Sequence, residues 1–200
     1  ETAASARPAV HVAFGGRVLP PLNLKFERVA LDGFRTWNAA SPVPESAPLF
    51  DDPPPLADRE DLRRRLEGAM DACTVIRVHP GLRGDHLIAL MDRGVRCFVL
   101  ELYDTGTASL RESPYSLRPA FLAARGRGVR FFCTSQQEGI VDFSGYVTAH
   151  ELWREGAVPM GSLTTESAFT KLVAALAFSD SDEEAAERVQ RGAGAARRTT

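Results

Sequence analysis

The chain has 200 residues, of which 44% are hydrophobic and 25% charged, and a formal net charge of −2. Those proportions belong to an ordinary globular protein, and the length suffices for one domain plus an appendage. So slight a charge gives no drive toward nucleic acid or an anionic membrane, and no apolar run approaches the roughly 20 residues of a membrane span, so neither partner is expected.

The first 40 residues carry an apolar run from Val10 to Phe14, then Gly15-Gly16, then Arg17-Val18-Leu19. Paired glycines between short β-rich runs predict a hairpin, because primed turns need positive φ. Pro20-Pro21 interrupts the return, and Lys25 to Leu31 is expected to resume it. A piece this small cannot bury a core alone and is expected to lie against other structure. Residues 41–57 hold six prolines (Pro42, Pro44, Pro48, Pro53, Pro54 and Pro55) and read as an extended connector.

Residues 58–192 alternate strand-like and helix-like patterns. Arg63-Arg64-Arg65 lies on a helix beside Glu60, Asp61 and Glu67, which is a solvated face rather than a phosphate patch. Strands are expected over 72–78, 96–103 and 129–134. Helices are expected over 85–93, 118–124, 145–154, 164–177 and 182–191, with Phe169, Leu172, Val173 and Leu176 at helical spacing. Apolar strands alternating with helices predict an α/β fold: a Rossmann-like parallel sheet flanked by helices, preceded by the N-terminal β-hairpin segment. Residues 193–200 read as a flexible tail.

Ligands of an open parallel sheet bind at the carboxyl ends of its strands. Three segments fall there: His79 to Leu82, Tyr103 to Ser109 and Thr134 to Gly139. Their glycines and hydroxyls suit a site read by hydroxyls and backbone amides, and they equally suit loops that only turn the chain. His79 reads as a strand-end residue with a satisfied hydrogen bond. Asp85 with His86 reads as a helix cap, and no further ligand suggests a metal. His150-Glu151 lacks the HExxH spacing. Thr164, Thr165 and Glu166 read as a helix start with a hydroxyl cap and an acidic first turn. The three cysteines, Cys73, Cys97 and Cys133, lie in or beside β-branched or aromatic runs without a CxxC spacing. They read as buried, reduced thiols, and with no signal-peptide pattern a cytoplasmic location is expected.

Several of these stretches together resemble the C-terminal domain of the L-asparaginase family, in its cytoplasmic type. Val78-His79-Pro80-Gly81 is similar to the family's "YPG" turn, and Leu102-Tyr103-Asp104-Thr105-Gly106-Thr107-Ala108 to its "YG.GNAP" strand end. Cys133-Thr134-Ser135-Gln136, Gly139, Val141 and Gly145-Tyr146 resemble "TQC..G.V..G.Y". Ala157 to Leu172 resembles "AGVI.G.DMT.EAA.TKL". In the front segment, Val10 to Leu19 and Asp32-Gly33-Phe34 resemble the last strands of the family's N-terminal domain, with its "ADGFDAF".

The resemblance implies hydrolysis of a side-chain carboxamide, of asparagine or a similar compound, with release of ammonia through a Thr-bound acyl intermediate and no metal or organic cofactor. It also implies that residues 1–40 complete an N-terminal asparaginase domain and that 58–192 form the C-terminal one. The family's "TGGT" nucleophile loop and its Thr-Asp pair with Lys do not occur here. No catalytic residue is therefore expected in this chain, which is expected to be inactive alone. An N-terminal asparaginase-like chain or a further N-terminal part would supply the threonines, in a hetero- or homo-oligomer. Gly106, Thr107 and Ser109 match a loop that in secreted relatives reaches a neighbouring subunit's active site. They are the expected substrate or interface residues, although Thr107 replaces an Asn. Glu101, Thr134 and Gln136 match an effector site that binds Asn in the cytoplasmic type. There Glu101 and Gln136 stand where that type carries Arg and Cys, and the reversed charge at Glu101 argues against an α-carboxylate effector. The alternative functions are a non-catalytic regulatory or scaffolding subunit and the glutaminase component of a related tRNA-dependent amidotransferase.

Overall fold

The computed structural model describes residues 10–19, 21, 24–26, 33–37, 49, 58–104 and 106–192. The expected connector apart from Leu49, the 193–200 tail, and residues 27–31 of the resumed strand lie outside them.

At the front, β1 (Val12–Phe14) and β2 (Arg17–Leu19) form the expected antiparallel hairpin. Gly15 and Gly16 take φ of 55° and 74°, a pairing that residues with a Cβ rarely adopt. The segment around Lys25 does not resume the return strand of that hairpin as expected: β3 (Leu24–Phe26) pairs with β4 (Phe34–Thr36) in a second antiparallel sheet. Strand β4 begins at the Phe34 that the family resemblance placed among the last strands, although periodicity alone did not predict it. The Phe34 ring packs edge-on to Phe14 at 4.8 Å and tilted on Phe26 at 5.1 Å, and the Arg17 guanidinium donates to the Phe34 carbonyl at 2.7 Å. One aromatic side chain thus gathers both hairpins.

The main body starts with α1 (Arg59–Asp71), on which Arg63 bridges Glu60 and Glu67 as an exposed face. A parallel sheet follows in simple sequence order: β5 (Cys73–Arg77), β6 (Cys97–Leu102), β7 (Arg130–Ser135) and β8 (Val158–Pro159). Between them run α2 (Gly84–Met91), α3 (Arg118–Arg125) and α4 (Val147–Arg154). After them come α5 (Thr165–Phe178) and α6 (Asp182–Gly192). Short β8 is invisible in the sequence because two residues show no periodicity. Its Pro159 lacks the N–H a central strand needs, which suits the sheet's edge.

Alternation along β6 explains the two layers. Phe98, Leu100 and Leu102 face one side, packed with Leu87, Met91, Phe121, Phe131 and Leu152. Cys97 and Val99 face the other, with Ala168, Leu172, Ala175 and Val189. Both faces are covered, so β6 is apolar almost throughout. Leu49 packs half-buried on the second layer.

Thr164 caps α5 as expected, its hydroxyl accepting the Ser167 N–H at 3.2 Å. Asp85 does not cap α2. The helix begins after Arg83 with no side-chain cap, and Asp85 is held instead by the Arg83 guanidinium at 2.6 Å, which lowers its carboxyl below the ordinary value.

Leu100 is fully buried at the centre of the sheet. Leu100→Ala should lower stability by about 2–5 kcal/mol, read as a shifted urea midpoint at unchanged slope. Val75→Ala on the half-covered strand β5 should fall well short of that.

Candidate functional site at the carboxyl edge

At the carboxyl end of the sheet the strands stop in step, and the register sets Arg77, Glu101 and Thr134 side by side across β5, β6 and β7. All three continue the face covered by α5, because Cys97, Val99 and Glu101 alternate onto it. The start of α5 therefore lies over them. The Thr165 hydroxyl donates to Glu101 Oε1 at 2.8 Å, and Thr134 Oγ1 lies 2.9 Å from Thr165 Oγ1. Since the Thr165 hydroxyl donates to the carboxylate, it accepts from the hydroxyl of Thr134. Thr134 is fully buried and Thr165 nearly so. Arg77, on the solvent side, approaches the other Glu101 oxygen at 4.0 Å. A carboxylate at a helix N-terminus also meets the favourable end of the helix dipole.

Gln136 has a different task. Its amide N–H groups donate to the carbonyls of Val78 at 2.6 Å and Glu101 at 2.9 Å, while its oxygen accepts from Arg77 Nε at 3.3 Å. Its backbone N–H bonds the Leu102 carbonyl at 2.9 Å. One side chain joins three strand ends. The structure thus brings the three expected effector-site residues together, as one hydrogen-bonded cluster with Arg77 and Thr165. Sequence reasoning missed those two, and only the strand register could have revealed them.

The loop after β6 turns tightly. Tyr103 and Thr107 form an antiparallel bridge, and the Thr107 hydroxyl reaches back to the Tyr103 carbonyl at 3.3 Å. Asp104 takes φ of 45° and Gly106 φ of 123°. A Cβ on Gly106 would lie 3.1 Å from the Phe143 ring and from Val141. The Ser135 hydroxyl donates to the Asp104 carbonyl and accepts the Gln137 N–H at 3.0 Å, tying this loop to the end of β7. Ser109 is exposed, and its carbonyl accepts the Leu117 N–H at 2.9 Å. His79 Nδ1 accepts the Gly81 N–H at 3.2 Å, as its strand-end reading expected. Arg35 of β4 pairs with Glu138 at 2.9 Å, which brings the front hairpins to this same edge.

A cavity of about 510 Å³ opens at the opposite end of β7 and β8, lined by Phe121, Arg125, Arg130, Trp153, Glu155 and Glu183 among others. Its arginines are already paired, Arg125 with Glu155 and Arg130 with Glu183. Among the described residues, no helix is long and apolar enough to cross a membrane.

A parallel sheet covered by helices on both faces, with glycine- and hydroxyl-bearing loops at its carboxyl edge, defines an α/β domain of the Rossmann-like class. Residues 73–189 match the glutaminase/asparaginase C-terminal domain family, and the chain belongs to it. Among curated relatives, a glutamyl-tRNA(Gln) amidotransferase subunit from Pyrococcus furiosus is 30% identical over 135 residues, covering 64% of this chain and 30% of that protein. The corresponding amidotransferase subunit from Thermococcus kodakarensis is 31% identical over 130 residues, covering 61% and 28%. The thermostable L-asparaginase from Thermococcus kodakarensis shares the fold over 94% of this chain and 58% of its own, with a TM-score of 0.69 at 22% identity. L-asparaginase I from Vibrio cholerae matches over 60% and 35%, with a TM-score of 0.52 at 27% identity. The chain therefore spans less than a third of the length of these curated relatives.

Gly106→Ala should cost about 1–3 kcal/mol, since the residue is forced into a strained φ against an aromatic ring. Thermal melts check the loss, and a melt equal to the parent's would show that the loop relaxes freely. Glu101→Leu should also destabilise, by about 1–3 kcal/mol, because Thr165 loses its acceptor in a buried setting. Glu101→Gln, which keeps that acceptor, should lose less in the same urea titration.

Proposed function

We propose that this chain is the C-terminal part of a glutaminase/asparaginase-type amidohydrolase, which hydrolyses a side-chain carboxamide and releases ammonia. The family match over residues 73–189 carries this reading. A hydroxyl nucleophile needs a base beside it, an oxyanion hole and access to substrate. Among the described residues, the Thr165 and Ser144 hydroxyls donate to the carboxylates of Glu101 and Asp142, each at 2.8 Å. Thr165 is buried at the start of its own helix, and Ser144 on Asp142 is an exposed contact within a local turn, with no base or oxyanion hole beside it. The catalytic threonines therefore come from residues outside this sequence, in a partner chain or in an N-terminal part of the same polypeptide. That the curated relatives are amidotransferase subunits favours a second reading, in which the ammonia comes from glutamine and serves another subunit.

Residues 1–40 fit as the closing strands of an N-terminal asparaginase domain, with 41–57 as connector, 58–192 as the C-terminal domain and 193–200 as tail. The extent of the fold match to the Thermococcus enzyme supports this division, since 94% of the chain takes in the hairpins. So do the exposed apolar side chains Val10, Val18 and Phe26, which a partner surface would cover. A cytoplasmic location belongs to the same reading.

Of the loop hydroxyls, Ser109 is open to a neighbour, whereas Thr107 is turned onto its own loop. Ser109 is then the better candidate to touch substrate or a catalytic-loop backbone group, with Gly106 and Thr107 shaping the turn beneath it. Glu101, Thr134 and Gln136 act as the structural counterpart of an effector site, without an α-carboxylate effector.

The pure chain should release no ammonia from asparagine or glutamine above background. Activity that persists through further purification would overturn the reading. Reconstituted with an asparaginase-like N-terminal chain, it should gain activity. There Ser109→Ala should lower kcat/KM by about 0.5–1.5 kcal/mol, the worth of one hydrogen bond. Unchanged kinetics in the Thr107→Ala/Ser109→Ala double variant, with assembly intact, would reduce the loop to a turn. Which amide is consumed faster separates the asparaginase reading from the glutaminase one.

A further inference from the structure

We propose that Cys73 and Cys97 form a thiol oxidation site, a dithiol that small-molecule disulfides convert to a cross-strand disulfide. The two residues open adjacent parallel strands and stand directly opposite in register. Both side chains belong to the core layer under α1, α5 and α6. The Cys73 thiol beside it, together with burial, raises the Cys97 thiol well above its ordinary value. Neighbouring strands lie about 4.7–4.9 Å apart, inside the Cα separations of about 4.4–6.8 Å that disulfides span. In-register parallel residues hold their Cβ atoms at much the same spacing, somewhat wider than the relaxed bond prefers. The bridge is therefore one that forms under oxidant and is readily reduced again. Cys133 supplies the internal contrast, since it is fully buried on the opposite layer, and burial alone raises its thiol.

Access comes through the ends of the strands. Cys73 keeps slight exposure at 8%, against 2% for Cys97. The start of α6 lies close by, where Asp182 pairs with Arg96 at 3.4 Å beside Cys97. Opening of this ion pair and of the helix end is the local motion that admits a reagent. The chemistry balances as a two-electron exchange. The Cys73 thiolate attacks one sulfur of the reagent disulfide, forming a mixed disulfide and releasing one reagent thiolate. The Cys97 thiolate then displaces the second reagent thiolate and closes the protein S–S bond. Both protons leave with the released thiols.

The test exposes the native full chain to oxidised glutathione and follows free thiols and the intact mass. Two of the three thiols should be lost, with removal of two hydrogen atoms and no retained glutathione, and peptide mapping should join Cys73 to Cys97. Reduced glutathione in excess should restore all three. Cys133→Ala should behave as the parent, whereas Cys73→Ala or Cys97→Ala should stop at a mixed disulfide or stay unmodified. Refolding from urea in the same redox buffer removes access as a limit and keeps the test open if a variant folds poorly. The idea fails if three thiols survive in both regimes, or if the mapped bridge involves Cys133 or a second chain.

Discussion

Where a parallel sheet ends, the last carbonyls run out of strand partners, and at this edge the Gln136 amide supplies the donor for Val78 and a second one for Glu101, which also accepts the Val78 N–H. Much of the local architecture depends on that one side chain. It fixes the ends of β5, β6 and β7 relative to one another, and so fixes where each following loop departs. With the strand ends in step, Arg77, Glu101 and Thr134 fall in line, and α5 can set Thr165 over them. The loop after β6 leaves the same edge, tied down by Ser135 on its neighbour. A donor lost at position 136 would leave the Val78 carbonyl bare in a partly buried place, a larger penalty than a surface hydrogen bond carries, while the Glu101 carbonyl would keep the Val78 N–H at 2.9 Å.

The parts of this fold that show in the sequence are those with enough length to show a period. Strands β6 and β7 read as apolar runs because both faces are covered, β5 reads through Cys73, Val75 and Ile76 although it is only half covered, and α5 reads through Phe169, Leu172, Val173 and Leu176. The Gly15-Gly16 turn reads because its φ values need glycine. Three residues at β4 and two at β8 give no period, so neither strand can be expected from pattern. Asp85 departs from expectation for a different reason: a cap is a competition among donors, and Arg83 two residues earlier captures the carboxylate. The candidate site is legible only in pieces. Family resemblance points to Glu101, Thr134 and Gln136, but Arg77 and Thr165 lie 24 and 64 residues from Glu101. Nothing in local spacing connects them until the strands are in register.

The front hairpins pose the complementary problem. Phe34 holds them together, and Lys25 and Arg35 lie over the Trp37 ring at 4.5 and 5.4 Å. Their tie to the carboxyl edge through Arg35 and Glu138 is exposed at both ends, and such pairs contribute at most about 1 kcal/mol. Two short antiparallel ribbons need more covering than that to be stable in water. Their exposed apolar side chains are then better understood as unfinished packing than as a solvent surface.

Charge decides what the carboxyl edge can accept. Glu101 places a carboxylate at the N-terminus of α5, bonded by Thr165 and faced by Arg77. Those are the features that would attract a ligand's carboxylate: a helix N-terminus, a hydroxyl donor and a guanidinium. Here they are satisfied from within the chain, and a second carboxylate in the same place would meet a like charge at close range in a half-buried setting. Arg77 is too exposed to offset that repulsion. An added anion would therefore be disfavoured where the donors of this edge are richest. On the adjoining loop Ser109 is exposed, above a turn that Asp104 and Gly106 hold in place with positive φ.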